Sequence, residues 1–112
     1  MKELTVDEMQ RLQRELHEAY GDDWAPLCPD QAIPSFLWML GEAGEVIDVM
    51  KKEGIDAVIH DPDTHAFFTE EVCDVLMYLM DTMLCLSVTP EEIADAFRQK
   101  QQKNLHRWKE EE

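Results

Sequence analysis

The chain has 112 residues and a formal net charge of −15, with 25 acidic side chains against 10 basic ones. That length is one domain, residues 1–112, able to bury roughly two-thirds of the surface its unfolded chain exposes. The charge excludes unassisted binding to nucleic acid or to an anionic membrane, which both need clustered Lys and Arg to replace counterions, so an acidic chain that handles phosphates needs a metal or a local basic patch.

Thr5-Val6-Asp7-Glu8 has the Ser/Thr-x-x-Glu form of a capping box. Met9, Leu12, Leu16 and Ala19 then recur at helical spacing up to Tyr20-Gly21, where glycine supplies a left-handed stop, so a first helix is expected over about 5–20. Residues 21–34 hold Pro26, Pro29 and Pro34 with Asp22, Asp23 and Trp24, and read as an ordered loop because Trp24 and Leu27 need cover. Pro34-Ser35 opens a second helix through Trp38, Leu40, Val46, Ile47 and Met50 to Lys51-Lys52-Glu53-Gly54, with cations in its last turn and glycine after it. Ile55, Ala57, Val58 and Ile59 allow a short helical turn before His60-Asp61-Pro62-Asp63 breaks it.

A third helix, from about Thr64 to Leu86, is apolar over most of its circumference, through Val72, Val75, Leu76, Met77, Leu79, Met80, Met83 and Leu84. One protomer of four short helices does not cover that much apolar surface, and burial in an oligomer is expected. Ser87-Val88 turns the chain. Thr89-Pro90-Glu91-Glu92 then starts a fourth helix with an N-cap, proline at the first helical position and a capping-box glutamate. It runs to about Trp108, carries Arg98, Lys100, Lys103, Arg107 and Lys109, and leaves Glu110-Glu111-Glu112 as a frayed tail. With no strand pattern or repeat, the class is all-α, a four-helix bundle-like protomer.

Cys28, Cys73 and Cys85 show no C-x-x-C spacing, and Cys73 and Cys85, twelve residues apart on one helix, are separated by about 18 Å of rise. A reducing cytoplasm fits that usage. Met1-Lys2-Glu3-Leu4 turns acidic at once instead of leading into an apolar targeting run, and Val75 to Val88, interrupted by Asp81, is shorter than the roughly 20 residues of a spanning helix.

Inside the second and third helices two segments answer each other. Glu42 with Glu45, and Glu71 with Asp74, are spaced i, i+3, so each pair projects from one helix face. Antiparallel packing would bring all four together, where two unit charges 4 Å apart cost about 4 kcal/mol at an effective dielectric near 20. Such a group needs a cation among its members, separation, or partial protonation. Carboxylate-only ligation selects Mg2+ or Mn2+, and no histidine here follows a glutamate by three residues, as the Glu-x-x-His of di-iron bundles requires.

Magnesium held by carboxylates takes further ligands from substrate phosphates, and Lys100, Lys103 and Arg107 at i, i+3, i+7 would meet the remaining charge. A polyphosphate substrate accounts for both features together; two solvated faces account for each separately. Trp38, one turn before Glu42, either stacks on a base or fills the core, and Trp24 is a weaker second ring of that kind. Asp81 continues the Asp74 face through Tyr78, as an outer ligand or as a surface aspartate.

Taken in order over about residues 35–108, Glu42-x-x-Glu45, Glu71-x-x-Asp74 and Lys100-x-x-Lys103-Asn104-x-x-Arg107 resemble the MazG-like, all-α nucleoside triphosphate pyrophosphohydrolases. The resemblance implies a helical dimer or dimer of dimers in which Glu42, Glu45, Glu71 and Asp74 hold magnesium. It implies a nucleotide substrate cut between its α and β phosphates, contacted by Lys100, Lys103, Asn104 and Arg107. One position departs from the family pattern: Gly41 stands where the first acid of a Glu-Glu-x-x-Glu motif is expected. Glu70 and Asp81 are then the candidates for activating water, and the alternative is a catalytically weak or inactive nucleotide-binding or protein-interaction module.

Overall fold

Five α-helices and no strand make up residues 2–111, the part of the chain that this computed structural model describes, with side chains described over 2–107. Helix α1 (Val6–Tyr20) starts on the expected capping box: the Glu8 amide donates to Thr5 Oγ1 at 3.1 Å and the Thr5 amide donates back to Glu8 Oε1 at 3.1 Å. Gly21, at φ 54°, ends it in a backbone region that a side chain would strain. The connecting segment is punctuated by two 3-10 turns, Gly21–Asp23 and Pro29–Gln31.

Helix α2 (Ala32–Glu53) begins two residues earlier than Pro34 suggests, because the second 3-10 turn feeds directly into it. Pro34 still lies in the first turn, where an amide has no intrahelical acceptor to lose. Gly54, at φ 86°, closes α2 with its amide on Met50 O at 3.0 Å. The next residues are a helix in their own right, α3 (Ile55–His60), so the protomer has five helices where four were expected. Helix α4 (Pro62–Cys85) then starts at Pro62, capped by Asp61, whose Oδ2 accepts the Thr64 amide at 2.9 Å and the Thr64 hydroxyl at 2.7 Å. Helix α5 (Pro90–Glu111) uses the Thr89–Glu92 box and stays helical through Glu110 and Glu111, where a frayed tail was expected; Glu112 lies outside the described residues.

The centre of the molecule is the α2–α4 pair, the most extensively packed in the chain. Its direction follows from the register: Trp38 meets Tyr78, Glu45 meets Glu71, and Val49 shares a cavity with Phe67, so the two helices run antiparallel. Helix α3 closes one end, with His65 Nδ1 donating to Val58 O at 3.0 Å, and α1 lies along α4. The apolar residues that mark α1 are not those it buries. Gln10 and Gln13 are its buried side chains, whereas Leu12 is 48% exposed and Ala19 is exposed. The reason is polar: Gln10 Nε2 donates to Val88 O at 3.1 Å, and Gln13 reaches a buried aspartate on α4.

Between α4 and α5 the axis bends by 112°, with Ser87 at φ 58° in the turn, and among the described residues α5 packs extensively against no other element. The radius of gyration is accordingly 16.9 Å, against about 13 Å for a compact domain of this length. The accessible surface is 8710 Å², where a folded monomer of 13.1 kDa exposes about 6,400 Å². Buried apolar residues among those described are few, Ala32, Val49, Val58, Met80, Met83 and Cys85, while Ile33, Leu37, Leu40, Val72, Leu76 and Phe97 remain exposed. No single helix among the described residues is long and apolar enough to cross a membrane.

Candidate metal centre

One turn of α2 projects Glu42 and Glu45 toward α4, which answers with Glu71. An oxygen from each of these three carboxyls lies within 4.8 Å of the others. The proximity is visible in their chemistry. Burial raises the Glu42 carboxyl above the ordinary carboxylate range, followed by its hydrogen bond to Glu45 and the charges of Glu45, Asp74 and Glu71. Glu71 is raised by the same causes in the same order: burial, a hydrogen bond to Glu45, and the charges of Glu45, Asp74 and Glu70. Burial and like charges at this spot thus disfavour the ionised forms of Glu42 and Glu71, and a cation among the oxygens would offset that.

Asp74 stands outside the tight trio, yet its charge reaches both Glu42 and Glu71. Glu71 Oε2 is shut off from solvent and has no hydrogen-bond partner. A buried carboxylate oxygen left without a donor is costly, and a divalent cation would complete it. Three hard oxygen donors, a fourth beside them and one orphaned atom fit Mg2+ or Mn2+ better than a softer metal.

The remaining acids divide. Glu70 is exposed and acts on Glu71 by charge. Asp81 is 5% exposed and faces α1: Oδ1 accepts from Gln13 Nε2 at 2.8 Å, and Oδ2 lies 3.2 Å from His17 Nε2, an approach without hydrogen-bond geometry. The surface-aspartate reading of Asp81 therefore gives way to a buried one. Across the ring, His17 Nδ1 donates to Ala25 O at 3.1 Å, which ties the loop after α1 to the same cluster.

That loop carries Trp24. Trp24 stacks on Tyr20 with centroids 4.4 Å apart and meets His17 edge-on at 5.0 Å. Trp38 lies 6.0 Å from Tyr78, whose hydroxyl is raised by burial and by the charges of Glu42, Asp81 and Asp74. Together with Ser35, His17 and Asp81, the rings of Trp24, Trp38 and Tyr78 line a cavity of about 240 Å³. A smaller cavity of about 160 Å³ brings Asp74 to Trp24, Tyr78 and Asp81, so the aromatic site adjoins the carboxylates.

Within one chain the basic residues of α5 are not brought to the acids. Lys100, Lys103, Asn104 and Arg107 are all exposed, Lys100 and Lys103 make no ion pair among the described residues, and Lys100 and Asn104 flank Phe97 and Leu105 on α5 itself. Gln13, His17 and Tyr78 are the site residues that sequence reasoning passed over. The available signal was the polar stripe Gln10, Gln13, His17 at i, i+3, i+7 in a helix that otherwise reads as apolar-faced. No protein-family model, curated protein or solved structure matches the chain.

Proposed function

We propose that this chain is a magnesium-dependent nucleotide pyrophosphohydrolase that cuts a nucleoside triphosphate between its α and β phosphates, giving nucleoside monophosphate and pyrophosphate, as its resemblance to the MazG-like enzymes implies. The observation that carries the reading is the Glu42, Glu45 and Glu71 group with its orphaned oxygen, set beside an aromatic cavity. Glu42, Glu45 and Glu71 would hold the metal, with Asp74 at its edge. Bound there, magnesium supplies Lewis-acid polarisation of a phosphoryl oxygen and an acidified water. Trp24, Trp38 and Tyr78 receive the base, and the His17–Asp81 contact fixes the loop that presents Trp24. Of the two candidates for taking the water's proton, Glu70 keeps an exposed carboxylate without a bonded partner among the described residues, whereas Asp81 is buried, bonded to Gln13 and close to His17.

Assembly belongs to the same proposal. The surface above that of an ordinary monomer is about 2,000 Å² per protomer, the scale that obligate homodimers bury. A second copy, in a dimer or dimer of dimers, would cover the exposed faces of α2 and α4 and bring the basic stripe of its α5, Lys100, Lys103, Asn104 and Arg107, to this site. Three free cysteines suit a reducing, cytoplasmic compartment.

The test is turnover of a nucleotide panel with magnesium, with products resolved by chromatography. Monophosphate plus pyrophosphate is expected; orthophosphate release, or no turnover of any nucleotide, overturns the proposal. Glu71→Gln should abolish metal-dependent turnover and leave the helical circular dichroism unchanged. Gly41 favours a second reading, a nucleotide-binding module without turnover, which calorimetry would select by tight nucleotide binding in the absence of hydrolysis.

A further inference from the structure

Glu45 and Glu71 also line a separate cavity of about 390 Å³, with Asp48, Val49, Lys52, Glu53 and Phe67. By helix register it lies on the opposite side of the carboxylate group from the aromatic cavity. Along α2, Ser35 and Trp38 line the aromatic cavity, Glu42 and Glu45 sit between, and Asp48 to Glu53 line the second; along α4 the order runs Asp81 and Tyr78, then Glu71, then Phe67.

Lys52 is the one cation among the described residues lining that second cavity, against four carboxylates. Its side chain makes no ion pair or hydrogen bond among the described residues, although Asp48 stands one turn before it at i−4. Its place on the Glu45, Asp48, Val49 stripe puts it about 10 Å of helix rise beyond Glu45. Helical side chains lean toward the helix N-terminus, which for Lys52 is toward the acids. Lys51, its neighbour in the last turn, complements the helix dipole equally well but does not line the cavity.

We propose that Lys52 is a phosphate-binding residue, holding the phosphates beyond the α phosphate so that substrate lies along α2 with its base at Trp38 and Tyr78 and its leaving pyrophosphate at Lys52. The inference rests on the pyrophosphohydrolase reading and deepens it by fixing the direction of the substrate. A negative cavity at the C-terminal end of a helix repels a bare polyphosphate, so the magnesium complex is the form that enters, and Lys52 supplies the in-chain charge-assisted hydrogen bond.

Calorimetry with inorganic pyrophosphate and magnesium, run beside the turnover assay, tests this on the wild type, Lys52→Ala, Lys52→Arg and Lys51→Ala. Lys52→Ala should weaken magnesium pyrophosphate binding about tenfold or more and raise KM for nucleotide by a similar factor, Lys52→Arg should recover most of the loss, and Lys51→Ala should match the wild type. A wild type that hydrolyses nucleotide yet binds magnesium pyrophosphate no better than Lys52→Ala overturns the role of Lys52 and leaves the hydrolase reading standing. Lys52-dependent binding without turnover supports Lys52 and overturns the hydrolase. Neither binding nor turnover overturns both.

Discussion

Gln13 on α1 donates its side-chain amide to Oδ1 of Asp81 on α4 at 2.8 Å, and both side chains are about as buried as the apolar core, at 4% and 5% exposure. The contact joins α1 to the central helix pair by a polar bond where a small bundle ordinarily uses leucines. It also holds the face of α4 that the aromatic cavity uses, since Asp81 lines that cavity with Trp24, Trp38 and Tyr78.

Removing the amide is therefore expected to be costly. Gln13→Leu leaves Asp81 with His17 alone, and a hydrogen bond to a buried charge contributes about 1.5–3 kcal/mol. We expect a loss of about 2 kcal/mol in urea unfolding at neutral pH. Gln13→Glu should lose more, because a second carboxylate then faces Asp81. Asp81→Asn keeps an acceptor for Gln13 and should be the mildest of the three. Equal stability of wild type and Gln13→Leu would show that the contact is replaced by water.

The metal-free carboxylate group carries a pH signature. Glu42 and Glu71 are raised in the folded protein, chiefly by burial, so the folded state binds more protons than the unfolded state as pH climbs from the ordinary value of 4.5 through their folded values. Stability contributed by these two groups thus falls over that window, the reverse of a salt-bridged carboxylate. Glu42→Gln should remove the penalty, raising the melting temperature of the metal-free protein at pH 7.5 more than at pH 5. Magnesium should stabilise the wild type more at pH 7.5 than at pH 5, because protons compete for the same oxygens, and should do little for Glu42→Gln. A magnesium response that is the same at both pH values would count against a metal site at these carboxylates.

What the sequence made legible was local. Caps at Thr5 and Thr89 and the glycine stops at Gly21 and Gly54 act within a turn of themselves, and they lie at the observed helix ends. The i, i+3 acids are equally local, and antiparallel pairing of two apolar helices was enough to bring Glu42, Glu45 and Glu71 together. Gln13 and Asp81 are 68 residues apart, and no spacing rule announces a buried polar bond across two helices. Nor did the basic stripe of α5 reveal its direction, which depends on the backbone of the Ser87 turn and not on the helix itself.

Gly41 is where the family resemblance and the geometry can be set against each other by one substitution. It lies inside α2 without a positive φ, is exposed, and a Cβ built on it meets nothing within 4 Å. Neither a turn nor a close approach therefore requires glycine there, and Gly41→Ala should stabilise the protein by about 0.5–1 kcal/mol through helix propensity alone. Position 41 is four residues before Glu45, so its side chain would stand beside Glu45 on the helix surface. Gly41→Glu then adds an acid to an already repelling group. Without metal it should be less stable than Gly41→Ala, and with magnesium the difference should shrink. If the missing acid is what limits turnover, Gly41→Glu should raise kcat about tenfold or more, within the range that a positioned general base supplies, while Gly41→Ala leaves kcat unchanged. An unchanged kcat in Gly41→Glu, together with a collapse of kcat in Glu70→Gln, would assign the proton transfer to Glu70 and make Gly41 a neutral departure from the family pattern.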